Sequence, residues 1–327
     1  MAQLSIEIGN QSLASVSRTT NGSDAGHGLR AVDLFCGSGG LSAGLISSGT
    51  EIVAAYDNWH AAVDTYNRNI SEHAHVLDLT DVDGAVQAIT RHKPDMIAGG
   101  PPCQDFSTAG KRTEGRRANL TIAFAEIVAR CAPKYLLMEN VPQARLSQAY
   151  KAMHQTLHSS GYEFREYVLN ASRCGVPQSR RRFFVFGWRD GGNTTGAKFD
   201  EWILESQSPK PLTVKDYLGK DIDVEFYYRH PRNYSRRSVF SVHEPSPTIR
   251  GVNRPVPPNY QGNHLDSAPP CTVRPLTSEE RSRIQTFPKG WDWGGRDRNA
   301  DVELQIGNAV PVNLGTFVGK GIEYAVC

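Results

Sequence analysis

Nowhere in the 327-residue chain does an apolar run approach the roughly 18 residues of a membrane span. No basic start followed by an apolar stretch marks a secretory signal. A membrane-embedded or exported protein is therefore not expected. Cysteine is scarce: Cys36, Cys103, Cys131, Cys174, Cys271 and Cys327 stand far apart with no CxxC pair. That dispersal argues against a disulfide framework or a structural zinc site, and fits reduced thiols in a cytoplasm. Net charge is only +2, so bulk electrostatics announce no polyanionic partner. Internal repeats and low-complexity tracts are also missing.

What is there is an alternation of short apolar runs with helical stretches. "LRAVDLF" reads as a strand and "GLSAGLISSG" as its helix, ended by Gly49. The pattern continues through "EIVAAYD", "HAAVDTYNRNI", "AHVLDL", a helix from about 83 to 91, "DMIAGG", "TIAFAEIVARC", "YLLMENV", "AYKAMHQTLHSSG", "EFREYVLNA" and "RRFFVFGW". Such alternation predicts an α/β fold with a mostly parallel sheet and helices on both faces. Residues 1–27, rich in Ser, Thr, Asn and Gly, read as a flexible arm in which "LSIEI" could add an edge strand. From 190 to 273 the chain is dense in Pro, Gly, Arg, Tyr and Asn without a useful helical period, which predicts a small irregular insert. Helical character returns with "TSEERSRIQ", where Thr277 and Glu280 form a capping box. The expected organisation is an arm (1–27), a catalytic domain (28–189), an inserted domain (190–273) and a segment (274–327) that returns to the catalytic domain, its closing "NLGTFVGKGIEYAV" packing onto the first sheet.

Three local patterns carry chemistry. "DLFCGSGG" ends a strand in a glycine-rich turn and opens a helix, so Gly37, Gly39 and Gly40 would let the backbone approach a ligand beside free helix N–H groups. Dinucleotide and S-adenosylmethionine sites share that turn. Asp57 follows the second strand, where an acid accepts hydrogen bonds from ribose hydroxyls, and Asp78 follows the third, where it could take an adenine amino hydrogen. "GGPPCQDFSTAG" sets Cys103 behind two prolines whose fixed φ aims the thiol. Between Tyr228 and Arg254, six arginines (Arg229, Arg232, Arg236, Arg237, Arg250, Arg254) face a single acid, Glu244, a segregation that suits a phosphate-facing stripe.

In order along the chain, "DLFCGSGG", "GGPPCQDFS", "MENV", "QSRRRFF", "RPLT" and "GNAVPVNL" resemble the motifs of the DNA (cytosine-5) methyltransferases, prokaryotic type. The resemblance runs from about 28 to 186 and again from 274 to the end, with 190–273 in the place of the family's target-recognition domain. It implies a Rossmann-like S-adenosylmethionine-dependent methyltransferase fold. Phe35 would then stack on the adenine, Asp57 hold the ribose, Asp78 the adenine amino group, and Leu120 line the adenine pocket. Asn308 would close the site near the methionine part, with Ser38, Asn58 and Val310 as further cofactor contacts. Members often have an aromatic directly after the ribose acid, whereas here Asn58 intervenes before Trp59, which could still touch the cofactor but is not assigned to it.

The resemblance assigns Cys103 as the nucleophile that adds to carbon 6 of cytosine, Glu139 as the group at ring N3 and the amine, and Arg182 as the group at O2. Arg180 would hold Glu139 or the Cys103 loop, and Asn140 would brace that loop. The base must leave the duplex stack for this chemistry. "STAGKRTEGRR" would close over it, with Gln104, Ser107, Lys111, Arg112, Arg116 and Arg117 at the DNA. Thr248 would touch the backbone of the flipped nucleotide, and the six arginines of the insert are candidates for guanines or phosphates. The implied partner is double-stranded DNA and the implied methyl donor S-adenosylmethionine, without a metal. The chain is expected to act as a cytoplasmic, prokaryotic monomer, in restriction-modification or as an orphan enzyme. An RNA-directed relative, a catalytically silent DNA-binding homologue and a small-molecule methyltransferase are the alternatives.

Overall fold

The computed structural model describes residues 28–102, 118–189, 192–295 and 299–326. The arm at 1–27, with "LSIEI", lies outside them, as do Cys103 and the basic segment that follows it.

Strands β1 (Arg30–Leu34), β2 (Glu51–Asp57), β3 (Ala74–Val76), β4 (Met96–Gly99), β5 (Tyr135–Asn140) and β6 (Glu163–Asn170) form the main sheet with β8 (Arg181–Trp188). Their order is β3-β2-β1-β4-β5-β8-β6. All run parallel except β8, which is antiparallel to both neighbours. The central strands β1, β4 and β5 are buried almost throughout, because helices cover both faces and no position can remain polar at little cost. Strand order reverses between β1 and β4, and an open α/β sheet binds ligands in the crevice at the carboxyl ends there.

Six helices alternate with or follow these strands: α1 (Gly40–Ser47), α2 (His60–Asn69), α3 (Val82–Thr90), α4 (Ala118–Cys131), α5 (Gln148–Ser159) and α6 (Gly192–Glu205). One face of the sheet packs Phe124, Ile127, Tyr150 and Met153 from α4 and α5. The other packs Leu41 and Leu45 of α1, Phe199 and Ile203 of α6, and Leu314, Phe317 and Val318 of the last helix.

The insert carries α7 (Val214–Leu218) and the hairpin of β9 (Phe226–Tyr228) with β10 (Val239–Ser241). It also docks a short strand on the first body, β7 (Gln178–Ser179) pairing in parallel with β11 (Ser246–Pro247). Beyond it come α8 (Ser278–Ile284), α9 (Ala300–Asn308) and α10 (Val312–Val326), and α8 starts with the expected Thr277–Glu280 capping box.

Two expectations about organisation change. The span 190–273 does contain a long helix, α6, and it belongs to the catalytic body. Its two glycines and paired threonines have weak helix propensity, but Phe199, Trp202 and Ile203 recur at one face, and burial overrides propensity. Nor does the whole segment after 274 return to the catalytic domain. Ile284, Phe287, Trp291, Trp293, Val302 and Ile306 share a core with Val214, Leu218, Tyr227, Val242 and Ile249 of the insert. The return is made by α10, which lies so close on α1 that a Cβ at Gly44 would stand 2.7 Å from the Cα of Gly315.

Candidate active site

The glycine-rich turn leaves β1 through backbone that resists side chains. Phe35 has φ +58°, a conformation a non-glycine residue keeps only where its surroundings impose it, followed by Gly37 at φ +51° and Gly39 at φ +89°. The imposing contacts are visible: the N–H of Cys36 donates to the carbonyl of Tyr56 at 3.2 Å, and the N–H of Gly37 to Asp57 Oδ2 at 2.9 Å. Asp57 Oδ1 accepts the N–H of Trp59 at 2.9 Å, so one half-buried carboxylate ties the first turn to the second. Burial raises its pKa against those hydrogen bonds.

The three glycines prove to have different duties. At Gly37 a Cβ would meet nothing within 4 Å, so its surroundings leave room for a ligand. At Gly39 it would stand 2.5 Å from Ile70, and at Gly40 2.2 Å from the carbonyl oxygen of Val310. Close approach at those two positions is to the protein itself, and Gly40 is needed because the C-terminal segment crosses the start of α1. Ser38 is buried and Asn58 exposed. Asp78 stands just past β3, exposed, and accepts from the N–H and hydroxyl of Thr80 at 3.0 and 2.8 Å. Leu120 is buried at the start of α4, Val310 is buried, and Asn308 is exposed at the end of α9.

Sequence reasoning missed the acid beneath this turn. Asp33 is fully buried, accepts the hydroxyl of Ser42 at 2.6 Å through Oδ2, and has no partner for Oδ1. Burial pushes its pKa up to about 7, the Ser42 bond opposes this and Asp57 adds to it. Cys36, buried beside both carboxyls, has its thiol pushed well up, chiefly by burial, which makes it a packing residue and no nucleophile.

Beside the crevice, β4 ends in Gly99 and the chain continues through Gly100, Pro101 and Pro102. A Cβ at Gly100 would stand 3.2 Å from Glu139 Oε2, so the backbone leading to Cys103 passes directly by that carboxyl. Asn140 Nδ2 donates to the carbonyl of Pro101 at 3.0 Å, and its Oδ1 accepts the N–H of Val141 at 2.8 Å. This contact matches the brace expected of Asn140.

Because β8 runs antiparallel to β5, the start of one meets the end of the other: Glu139 lies opposite Phe184 and Asn140 opposite Phe183. That register brings Arg182 Nε to 2.8 Å from Glu139 Oε1, both side chains largely buried. Burial raises the pKa of Glu139 while Arg182 and Arg180 pull it back. The result is a buried carboxyl whose charged form burial disfavours and a paired guanidinium supports, at the end of β5.

Arg180 departs from the expectation that it grips Glu139 or the Cys103 loop. It is 1% exposed, and its hydrogen bonds go to the carbonyls of Ile249 at 3.0 Å, Gly307 at 3.1 Å and Ala309 at 3.1 Å. Its influence on Glu139 is electrostatic. Arg180 stands outside β8, just before its first residue, and its guanidinium reaches the insert and the end of α9 instead. Gln178, also unassigned from the sequence, works beside it. Its Oε1 accepts the N–H of Ile249 at 2.8 Å and its Nε2 donates to Gln285 at 2.7 Å.

The insert presents a groove of about 460 Å³ lined by Arg229, Arg232, Arg236, Arg237, Arg250, Phe240, Pro231 and Thr248. Five of the six arginines are thus brought together; Arg254 is exposed and does not line it. Arg237 is bound by Glu244, Arg229 donates to the carbonyl of Thr248 at 2.9 Å, and Arg250 donates to the carbonyl of His230. Burial, then the charge of Arg250, brings Arg229 down to about 10. Thr248 Oγ1 donates to the carbonyl of Ser179 at 3.0 Å. Behind the groove lies a buried ion pair that the sequence did not reveal, Arg281 Nε to Glu303 Oε2 at 2.7 Å. Its only signal was charge in helices otherwise committed to a core. Cys103, Gln104, Ser107, Lys111, Arg112, Arg116 and Arg117 lie outside the described residues. Among the described residues no helix is long and apolar enough to cross a membrane, and no three His, Cys, Asp or Glu side chains could share a metal.

Comparison with known proteins gives a consistent result. Residues 29–324 match the model of the C-5 cytosine-specific DNA methylase family. The chain is 49% identical over 296 residues to the Type II methyltransferase M.HgiDI of Herpetosiphon aurantiacus, covering 90% of this chain and 94% of that one. It is 48% identical over 297 residues to the Type II methyltransferase M.HindV of Haemophilus influenzae, covering 90% and 96%. Among solved structures, a DNMT2 mutant from Spodoptera frugiperda superposes with a TM-score of 0.66 at 20% identity, over 90% of this chain and all of that one. A prophage-encoded putative DNA modification methyltransferase from E. coli gives 0.65 at 21%, over 90% and 99%. These two speak for the fold.

Proposed function

Since the chain belongs to the C-5 cytosine-specific DNA methylase family, we propose that it methylates carbon 5 of a flipped-out cytosine in a specific duplex DNA sequence, through a covalent adduct on Cys103, as the modification enzyme of a restriction-modification system. The observation that carries this reading is the Glu139–Arg182 pair at 2.8 Å beside the Asn140-braced approach to Cys103. The relatives' description as Type II methyltransferases supports the same role.

The residues at the switch point fit S-adenosylmethionine. Gly37 leaves open room, Asp57 is fixed by two backbone N–H groups with lone pairs to spare for ribose hydroxyls, and Phe35 keeps a half-exposed ring in imposed backbone. Phe35 and Leu120 would hold the adenine, Asp78 its amino group, and Ser38, Gly39, Gly40, Asn58, Asn308 and Val310 would complete the site. When bound, the cofactor supplies an electrophilic methyl group.

The chain's own residues then make the base reactive. The Cys103 thiolate bonds to carbon 6, and the π electrons of the 5,6 double bond move toward the ring N3 side. Glu139, with its raised pKa, protonates N3 as negative charge gathers there, and Arg182 stabilises charge at O2. Carbon 5, now enamine-like, takes the methyl group. Loss of the carbon 5 proton to a base re-forms the 5,6 double bond and expels the Cys103 thiolate, and N3 returns its proton to Glu139. Base flipping precedes all of this, and Gln104, Ser107, Lys111, Arg112, Arg116, Arg117 and Thr248 are proposed to hold the opened DNA.

Bisulfite sequencing of an expressing host tests the reading, alongside trapping on duplex DNA containing 5-fluorocytosine. Methylation in one sequence context, and a Cys103-dependent covalent complex, are expected. Labelling confined to RNA, or full methylation by Cys103→Ala, would refute it.

A further inference from the structure

The β9–β10 hairpin ends in a tip unlike the rest of the basic surface. Arg232, Asn233, Tyr234, Ser235 and Arg236 are all exposed in succession, between strands that pair through Tyr228 and Val239. Exposure here does not mean looseness. Within the tip the N–H of Arg236 donates to the carbonyl of Asn233 at 3.0 Å, and Asn233 Oδ1 accepts the N–H of Ser235 at 3.0 Å. From outside, Asn263 Nδ2 donates to the carbonyl of Ser235 at 2.9 Å. At its base, Asp266 Oδ1 accepts the N–H groups of Ser238 and Val239 at 2.6 and 2.8 Å.

The arginines divide by what they already hold. Arg237 spends its fork on Glu244, Ser267 and the carbonyl of Val239. Arg229 and Arg250 donate to the carbonyls of Thr248 and His230. The guanidinium groups of Arg232 and Arg236, at the two ends of the exposed tip, have no hydrogen-bonding or ionic partner among the described residues. Arg232 adds its charge to a groove where Arg229 and Arg250 already repel one another.

We propose that the tip is the sequence-reading element of this enzyme: the ribbon enters the major groove, and Arg232 and Arg236 each take the edge of one guanine. The proposal rests on the cytosine-methylation reading given above. A two-stranded ribbon fits the major groove, where guanine alone offers two adjacent acceptors, N7 and O6, that match the planar guanidinium fork. Adenine, cytosine and thymine each place an amino donor or a methyl group there. The recognition sequence accordingly contains at least two G·C pairs flanking the methylated cytosine, with Arg229, Arg237 and Arg250 framing the tip.

The test is bisulfite sequencing of hosts expressing the wild type, Arg232→Ala, Arg236→Ala and Arg232→Lys. The wild-type methylome gives the sequence, which must contain the two G·C pairs. Each alanine variant should relax the requirement at a different one of them, discrimination falling about 5- to 150-fold there. Arg232→Lys, which keeps the charge and loses the fork, should relax the same position as Arg232→Ala. A recognition sequence lacking those pairs would overturn the proposal. So would variants that keep full discrimination while methylating every site more weakly, the mark of phosphate contacts. If the wild type methylates no DNA, the functional reading falls and takes this inference with it; normal wild-type methylation with indifferent variants sinks the inference alone.

Discussion

Replacing Asn140 by alanine separates positioning from stability in the loop that carries the nucleophile. The carboxamide is buried and makes two contacts, donating to the carbonyl of Pro101 at 3.0 Å and accepting the N–H of Val141 at 2.8 Å. Its removal leaves one buried acceptor and one half-buried donor without partners, at about 1–3 kcal/mol each, so a total loss of about 2–6 kcal/mol is expected. For 327 residues at about 2.1 cal/mol/K each, the unfolding entropy is about 0.7 kcal/mol/K, which converts that loss into a fall in Tm of about 3–9 °C. A separate kinetic effect comes from the position of the contact. Pro101 stands two residues before Cys103, and a displacement of about 1 Å at a reacting atom costs on the order of a hundredfold in rate. Single-turnover methyl transfer to duplex DNA should therefore slow by about 10- to 100-fold while DNA affinity changes little. The rate of trapping on 5-fluorocytosine DNA should fall in parallel. An Asn140→Ala enzyme with the expected drop in Tm and an unchanged trapping rate would refute the positioning role.

Further expectations follow from the same geometry. Asp33, raised by burial to about 7, destabilises the folded state progressively as pH climbs from near 4, where the unfolded carboxyl ionises, to about 7. Stability is thus greatest for this group at the acid end, and the loss is of order 4 kcal/mol. Denaturation midpoints across that window should be flatter for Asp33→Asn, and equal slopes would contradict the assignment. Glu303→Ala strands the buried Arg281 and should cost about 3–5 kcal/mol, whereas Glu303→Leu with Arg281→Met should recover much of it; thermal melts decide. Gly37→Ala should fold, at about 1 kcal/mol for its positive φ, yet bind S-adenosylhomocysteine more weakly by calorimetry. Gly40→Ala drives a methyl group into the carbonyl of Val310, so soluble expression itself should suffer.

The degree to which the sequence foretold this molecule depends on where each signal is stored. Strands β2 and β8 were legible residue for residue, since their interiors, Ile52–Tyr56 and Phe183–Trp188, are continuous apolar runs of the kind a sheet covered on both faces requires. The capping box at Thr277 was legible because both halves lie three residues apart. Helix α6 was hidden: its glycines and threonines argue for a loop, and only the sheet and α10 supply the apolar surface that makes it a helix. The site divides likewise. Motif order named Glu139 and Arg182, but their contact is created by antiparallel register across two strands far apart in sequence. The partners of Arg180 come from the insert and from the end of α9, two stretches far from it in sequence that no local pattern links. Two of the three turn glycines also have reasons within the protein that no local pattern shows, since a Cβ at Gly39 would meet Ile70 and one at Gly40 the carbonyl of Val310.

The seating of α10 on α1, glycine against glycine, also sets an order of events in time. Helix α1 emerges from the ribosome early, with its outer face bare, and that face is covered only when the last helix has been made. The wall of the glycine turn at Gly40 is likewise completed only by Val310. A chain synthesised only as far as α9 therefore holds the glycine turn without the segment that packs against it, and the crevice at Gly40 is walled only once Val310 and α10 have been translated.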